Sequence, residues 1–151
     1  MSLLSWNCRG TGNLRTVKAL EKVVNKEEPK IVFLMETKSK REWLEKVKER
    51  CKMKHGLIVP SDGSKGGLAL LWKEGITVKI KTYSQDHIDA WIEGGWDGGC
   101  WHFTGFYGNP LRERPRCHGS PLEILMKSWV SRRKKVAMHD QGGRWRILLM
   151  P

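Results

Sequence analysis

Three residues of this chain carry side chains suited to a phosphate-handling metal site, and each stands where an apolar run stops. Asn7 ends the run Ser2–Asn7 within Ser5-Trp6-Asn7-Cys8-Arg9-Gly10. Glu36 follows Ile31–Met35 within Met35-Glu36-Thr37-Lys38. Tyr107 closes Trp101–Tyr107 within Gly105-Phe106-Tyr107-Gly108-Asn109-Pro110. A carboxylate and an amide oxygen are hard donors of the kind Mg²⁺ takes in small number while keeping several waters. A phenol can steady a phosphate as negative charge builds on it, without adding a net charge of its own. Glu36 is therefore the candidate metal ligand. Asn7 coordinates alongside it or orients it, and Tyr107 faces the phosphate, so Asn7 and Tyr107 are the candidate catalytic groups. Each residue also has a plainer reading: Asn7 as a strand-ending turn residue, Glu36 as a carboxylate leading into a helix, Tyr107 as a core tyrosine with a satisfied hydroxyl.

The elements that must position these residues are legible from hydropathy. Ser2–Asn7 reads as a strand and Cys8–Asn13 as a glycine-containing turn. From Leu14 the period becomes helical, with Val17, Leu20, Val23 and Val24 on one face, and Pro29 follows the helix end. Ile31–Met35 is apolar throughout, the mark of a strand covered on both faces. A second helix is predicted over Lys40–Lys52, its stripe made by Trp43, Leu44, Val47 and Cys51, with Glu42–Lys46 and Glu45–Lys48 at ion-pair spacing. Leu57–Val59 and Leu68–Trp72 read as strands around the turn 61–67. Ile76, Val78 and Ile80 alternate with polar residues, which predicts a strand with one wet face. Ile88–Glu93 and Trp101–Tyr107 flank a glycine-rich segment that reads as a hairpin connection. The order predicts an α/β (α+β) chain: alternating strands and helices first, then an antiparallel meander.

Past Pro110 the character changes. Residues 112–117 are basic and broken by proline. Leu122, Leu125, Met126, Trp129 and Val130 recur at helical spacing and predict a helix over 121–131, and Trp145–Met150 reads as a last strand.

A length of 151 residues gives one domain with room for a core. The formal net charge is +12, of which residues 110–151 contribute +7 from ten basic and three acidic side chains. That balance favours a polyanionic partner, DNA or another nucleic acid. Arg9 and Lys38 in the strand-end motifs, and Arg132, Arg133, Lys134 and Lys135 in the tail, are the candidate contacts. The plainer reading is a solvated basic surface. None of the four cysteines forms a Cys-x-x-Cys pair and no secretory leader stands before them, so reduced thiols and a nuclear or cytoplasmic location are expected. No apolar run reaches the roughly 20 residues of a membrane span. Cys100, His102, Cys117 and His118 do not have the spacing of a zinc module. His87 and Asp89 share a strand face at i, i+2, which allows contact; a structural role is favoured for that histidine. Gly66-Gly67 is too short for a phosphate-binding loop.

The three strand-end motifs, in this order, resemble the endonuclease/exonuclease/phosphatase superfamily, and within it the endonuclease-like domain of plant LINE-type retrotransposons. The resemblance covers about residues 2–110. It implies an αββα sandwich, incomplete here, and Mg²⁺-dependent hydrolysis of a DNA phosphodiester, with no small-molecule cofactor. It divides the chain into the N-terminal part of such a domain, 1–110, and a divergent basic tail, 111–151. The superfamily draws its water-orienting and leaving-group residues from Gly-Asp-x-Asn and Ser-Asp-His motifs. Neither occurs here; Asp140 sits in His139-Asp140-Gln141-Gly142 instead. The resemblance therefore implies a truncated, inactive, retrotransposon-derived domain. A non-catalytic basic nucleic-acid-binding module and a fragment without selected function are the other readings.

Overall fold

The computed structural model describes residues 2–63, 66–93, 100–107, 135–140 and 145–150. The described elements run β1 (Ser2–Asn7), α1 (Leu14–Glu27), β2 (Ile31–Met35), α2 (Arg41–Arg50), β3 (His55–Val59), β4 (Leu68–Trp72), β5 (Thr77–Tyr83), β6 (His87–Glu93), β7 (Cys100–Phe106), β8 (Lys135–Asp140) and β9 (Trp145–Met150). They form a six-stranded sheet in the order β3-β4-β2-β1-β8-β9 and a three-stranded sheet in the order β5-β6-β7. β1 and β2 are parallel, with Leu3 opposite Ile31 and Asn7 opposite Met35, and α1 makes the crossover between them.

β2 shows why a wholly apolar run is needed at the centre. Its five residues are all buried, but successive side chains serve different layers. Val32 and Leu34 pack with Leu4, Trp6 and the helix residues Val17, Leu20, Val24, Leu44 and Val47. Ile31, Phe33 and Met35 pack on the other side with Leu68 and Leu70, and with Ile88, Ala90, Ile92 and Phe103 of the second sheet. The layers are helices, large sheet and small sheet. Fully burying a side chain of this size contributes roughly 1.5–3 kcal/mol, so each sheet–sheet position is costly to lose. Phe33 and Phe103 meet edge to face across the inter-sheet layer at 5.3 Å. β7 approaches the large sheet closely at Gly105, where a Cβ would stand 2.7 Å from Phe33 Cε1.

Local signals explain most element ends. Asn13 caps α1 by accepting from the Arg15 N–H at 2.9 Å, and Glu28, at φ +45°, ends it before Pro29. α2 is shorter than its predicted 40–52 because the chain leaves the helix at Cys51, and Lys52 turns to φ +56°. β3 begins at His55 rather than Leu57, since His55 and Gly56 pair with Trp72 and Leu71 of β4. The alternation in β5 is present, with a register irregularity between Ile80 and Thr82. β9 matches the strand predicted at 145–150. β8 was not predicted; it pairs antiparallel with both β1 and β9. The helix predicted over 121–131 lies outside the described residues. Among the described residues no helix is long and apolar enough to cross a membrane.

Candidate active site

Beyond their last paired residues, β1 and β2 stay zipped together as loops. The Cys8, Gly10 and Thr11 N–H groups donate to the carbonyls of Met35, Glu36 and Thr37 at 2.9, 2.8 and 2.7 Å. From the other side, Thr37 and Lys38 donate to the carbonyls of Gly67 and Gly66 at 3.2 and 3.0 Å. Gly67 takes φ +88°, and a Cβ there would collide with Thr37 Oγ1, so this close approach needs glycine. Thr11 and Ser39 both donate their hydroxyls to the Thr37 carbonyl, and the Trp43 indole N–H donates to the Thr11 carbonyl at 2.8 Å.

The segment clamped in this way is strained. Arg9, Glu36 and Lys38 take φ of +49°, +55° and +49°. Left-handed conformations in residues with a Cβ cost of order 1–2 kcal/mol each and gather where surrounding structure enforces them. Here the two flanking loops enforce them.

The strand ends bring Asn7, Glu36 and Tyr107 together. Asn7 and Glu36 leave neighbouring parallel strands of the large sheet. Tyr107 follows β7 of the small sheet, and its N–H donates to the Asp86 carbonyl at 2.7 Å, closing the end of the β6–β7 ladder. Burial pushes the Glu36 carboxyl upward. Hydrogen bonds from Lys38 and Asn7, the Lys38 charge and a hydrogen bond from Tyr107 outweigh it, and the group is held below its ordinary value. Tyr107 moves the opposite way: burial, the Glu36 charge and the hydrogen bond to Glu36 raise its phenol. The site is thus an ionised carboxylate flanked by an amide and a neutral phenol. Asn7 Oδ1 also accepts from the Arg9 N–H at 3.0 Å.

Lys38 lies against the site: its Nζ is 3.2 Å from Glu36 Oε1. Arg9 is exposed beside Asn7. Lys135 is the first residue of β8, far along the chain from these loops, and Arg132, Arg133 and Lys134 lie outside the described residues.

The pairing of His87 with Asp89 is not what the fold makes. His87 Nδ1 is 2.7 Å from Ser84 Oγ and its Nε2 is 3.0 Å from Thr82 Oγ1. Asp89 Oδ1 instead accepts from Thr104 Oγ1 at 2.7 Å and stands 2.7 Å from His102 Nε2. The cross-strand register Asp89↔Thr104 and Trp91↔His102 brings these residues together. Sequence spacing along one strand could not show it. Among the described residues no group of three or more His, Cys, Asp or Glu side chains could hold a metal ion. The Cys51 thiol is pushed up to about 12, chiefly by burial and further by the Glu21 carboxylate, which leaves it a core group rather than a nucleophile.

The sequence profile of the Endonuclease/Exonuclease/phosphatase family matches residues 4–150, and the chain belongs to this family. The match runs well past Pro110, where the strand-end motifs stop. No curated protein matches. Among solved structures, the AP endonuclease LMAP from Leishmania major is similar over 82% of this chain and 43% of its own, at 15% identity and a TM-score of 0.55. D. rerio TDP2, solved in complex with a single-strand DNA product, is similar over 70% of this chain and 44% of its own, at 19% identity and a TM-score of 0.52. Truncated Caenorhabditis elegans TDP2 is similar over 74% and 47%, at 22% identity and a TM-score of 0.52. At these identities the likeness is one of fold, the two-sheet α/β architecture. The chain spans less than half the length of these three structures. Members of the family generally depend on a divalent metal.

Proposed function

We propose that this chain carries the metal- and phosphate-facing half of a Mg²⁺-dependent DNA phosphodiesterase site, and that on its own it does not turn over. The observation that carries the reading is the meeting of Glu36, Asn7 and Tyr107, from strand ends of both sheets, through hydrogen bonds of Asn7 and Tyr107 to the Glu36 carboxylate. The residues fit a weakly held, hydrated Mg²⁺: one ionised, partly exposed carboxylate and one amide oxygen, with room in the coordination shell left to water and phosphate. When bound, the ion would polarise a phosphoryl oxygen and acidify a water. The chain's own residues would do three things. Glu36 and Asn7 would hold the ion, and Tyr107, kept neutral by burial and the adjacent carboxylate, would offer its O–H to the phosphate. Arg9 and Lys38 add positive charge along the approach, and the net charge of +12 suits a polyanionic substrate.

The missing groups support inactivity. Gly-Asp-x-Asn and Ser-Asp-His, the motifs from which the superfamily draws the groups that orient the attacking water and steady the departing oxygen, do not occur in these 151 residues. Losing one electrostatic stabiliser typically costs ~100-fold or more in rate, and groups acting as a unit fail together. The test is nicking of supercoiled plasmid with Mg²⁺, run beside Glu36→Ala. Both are expected at background; nicking that vanishes in the variant would overturn the reading of inactivity.

The origin belongs to the same proposal. The motifs around Asn7, Glu36 and Tyr107 support descent from a plant LINE-type retrotransposon endonuclease, acting in the nucleus or cytoplasm. Translating the genomic DNA past codon 110 in the other two frames tests this. Gly-Asp-x-Asn followed by Ser-Asp-His there is the expected result.

The charge of residues 110–151 favours a second reading, non-catalytic binding of nucleic acid. Under it, replacing Arg132, Arg133, Lys134 and Lys135 with Gln would lower affinity and flatten its salt dependence in a gel-shift titration.

A further inference from the structure

We propose that Lys38 is a built-in counter-ion that occupies the cation position of the site, so that a divalent metal must displace the Lys38 ammonium to reach Glu36. The inference rests on the reading of Glu36 as a metal-holding carboxylate and adds the control of that site's affinity.

Four observations place the ammonium there. Lys38 Nζ stands 3.2 Å from Glu36 Oε1, within charge-pair distance. The backbone that presents it is fixed rather than loose. Glu36 and Lys38 both hold left-handed φ, and Gly10 N–H to Glu36 and Lys38 N–H to Gly66 pin the segment from both sides. The aliphatic stem passes beside Gly10. A Cβ there would lie 3.8 Å from Lys38 Cδ and 3.9 Å from its Cβ, so the stem crosses a position where the chain has no side chain. Finally, the Glu36 side chain is only 19% exposed, so the carboxylate offers a narrow approach and one face of it is already taken.

Elementary electrostatics gives the consequence. A fixed ammonium beside the carboxylate lowers the charge an incoming ion sees, and it repels a dication held on the same group. At high dielectric, a single and a double charge roughly 5 Å apart repel by an amount equivalent to about tenfold in affinity. Part of the ammonium is solvated, and salt screens it further. Lys38 therefore turns the site from one that holds a metal at rest into one that accepts it when another anion, such as a phosphate, draws the ammonium away.

The experiment is Mn²⁺ binding to the purified chain, followed by the loss of the free-ion paramagnetic resonance signal at low and high salt. Lys38→Met keeps the stem and removes the charge. It is expected to raise Mn²⁺ affinity on the order of tenfold at low salt, with the gap narrowing at high salt. Lys38→Arg keeps the charge and is expected to bind as weakly as the parent chain. Glu36→Gln added to Lys38→Met is expected to abolish the gain. Circular dichroism of each variant establishes that it is folded. If Lys38→Met binds no tighter than the parent, or neither binds at all, the counter-ion role is overturned. If Lys38→Met binds tighter but Glu36→Gln leaves that binding intact, the metal is elsewhere and the reading of Glu36 itself falls.

Discussion

Gly105 and Phe33 belong to different sheets, and the missing side chain of one accommodates the ring of the other. A Cβ at Gly105 would come within 2.7 Å of both Phe33 Cε1 and Cε2. Gly105 lies two residues before Tyr107, so this contact sets how close the phenol's strand approaches Glu36. Gly105→Ala is expected to destabilise the fold by roughly 1–3 kcal/mol through overpacking. It should also push Tyr107 away from the carboxylate. A thermal melt reads the first effect; an unchanged midpoint would show that the two sheets are not packed as described.

The pH dependence of Glu36 follows from the direction of its shift. A carboxyl held below its ordinary 4.5 in the folded chain contributes stability that is present above 4.5 and lost as pH falls through the lower, folded value. Glu36→Gln lacks that component. The stability difference between parent and variant, from urea midpoints, should be constant at neutral pH and shrink on acidification below about 4.5. A difference that grows in acid would mean the carboxyl is raised, not lowered.

Tyr107 gives the complementary signal. Its phenol is raised above its ordinary 10.0, so the neutral form is favoured by folding and that contribution is lost as pH rises past 10.0 toward the folded value. The chain has two tyrosines. Subtracting the phenolate absorbance of Tyr107→Phe from that of the parent isolates the Tyr107 titration. Glu36→Gln should bring the isolated titration back toward 10.0.

Two threonines in adjoining loops should respond in opposite directions to the same change. Thr37 Oγ1 is buried without a hydrogen-bond partner. Thr11 Oγ1 stands 2.7 Å from Ser39 Oγ and 3.1 Å from the Thr37 carbonyl oxygen. Thr37→Val should be neutral or stabilising by up to about 1 kcal/mol, and Thr11→Val should cost about 1–2 kcal/mol. Chemical denaturation of both variants is the check.

β8 has neighbours on both edges, β1 on one and β9 on the other. Whichever way the Ala137 N–H points, it meets a paired strand. Ala137→Pro removes a ladder hydrogen bond and should destabilise by at least about 2 kcal/mol. If the melt is unaffected, residues 135–140 are not part of the sheet.

What the sequence disclosed depended on how local the cause was. β1, α1, β2 and β4 were readable because each carries its own hydrophobic period and its own stop, Asn13 and Pro29 among them. The meeting of Asn7, Glu36 and Tyr107 was legible as three strand ends. The roles of Arg9 and Lys38 were read from charge alone, and charge does not show that left-handed backbone at 36 and 38 aims one side chain at the other. The Asp89–His102 contact was invisible because it depends on cross-strand register. β8 was missed because Val136-Ala137-Met138, between basic and polar neighbours, is too short to show a period. Its place is decided by β1 and β9.

The position of β1 has a consequence for synthesis on the ribosome. One edge of β1 can be satisfied as soon as β2 emerges, but the other waits for Lys135–Asp140, roughly 100 residues later. At about 5–20 residues per second, the nascent chain spends on the order of 5–20 s with an apolar strand open along one side. An open edge of that kind recruits whatever strand is nearest, including one from a neighbouring chain. Whether this protein accumulates in a cell is therefore decided as much by what shields that edge during translation as by the stability of the finished fold.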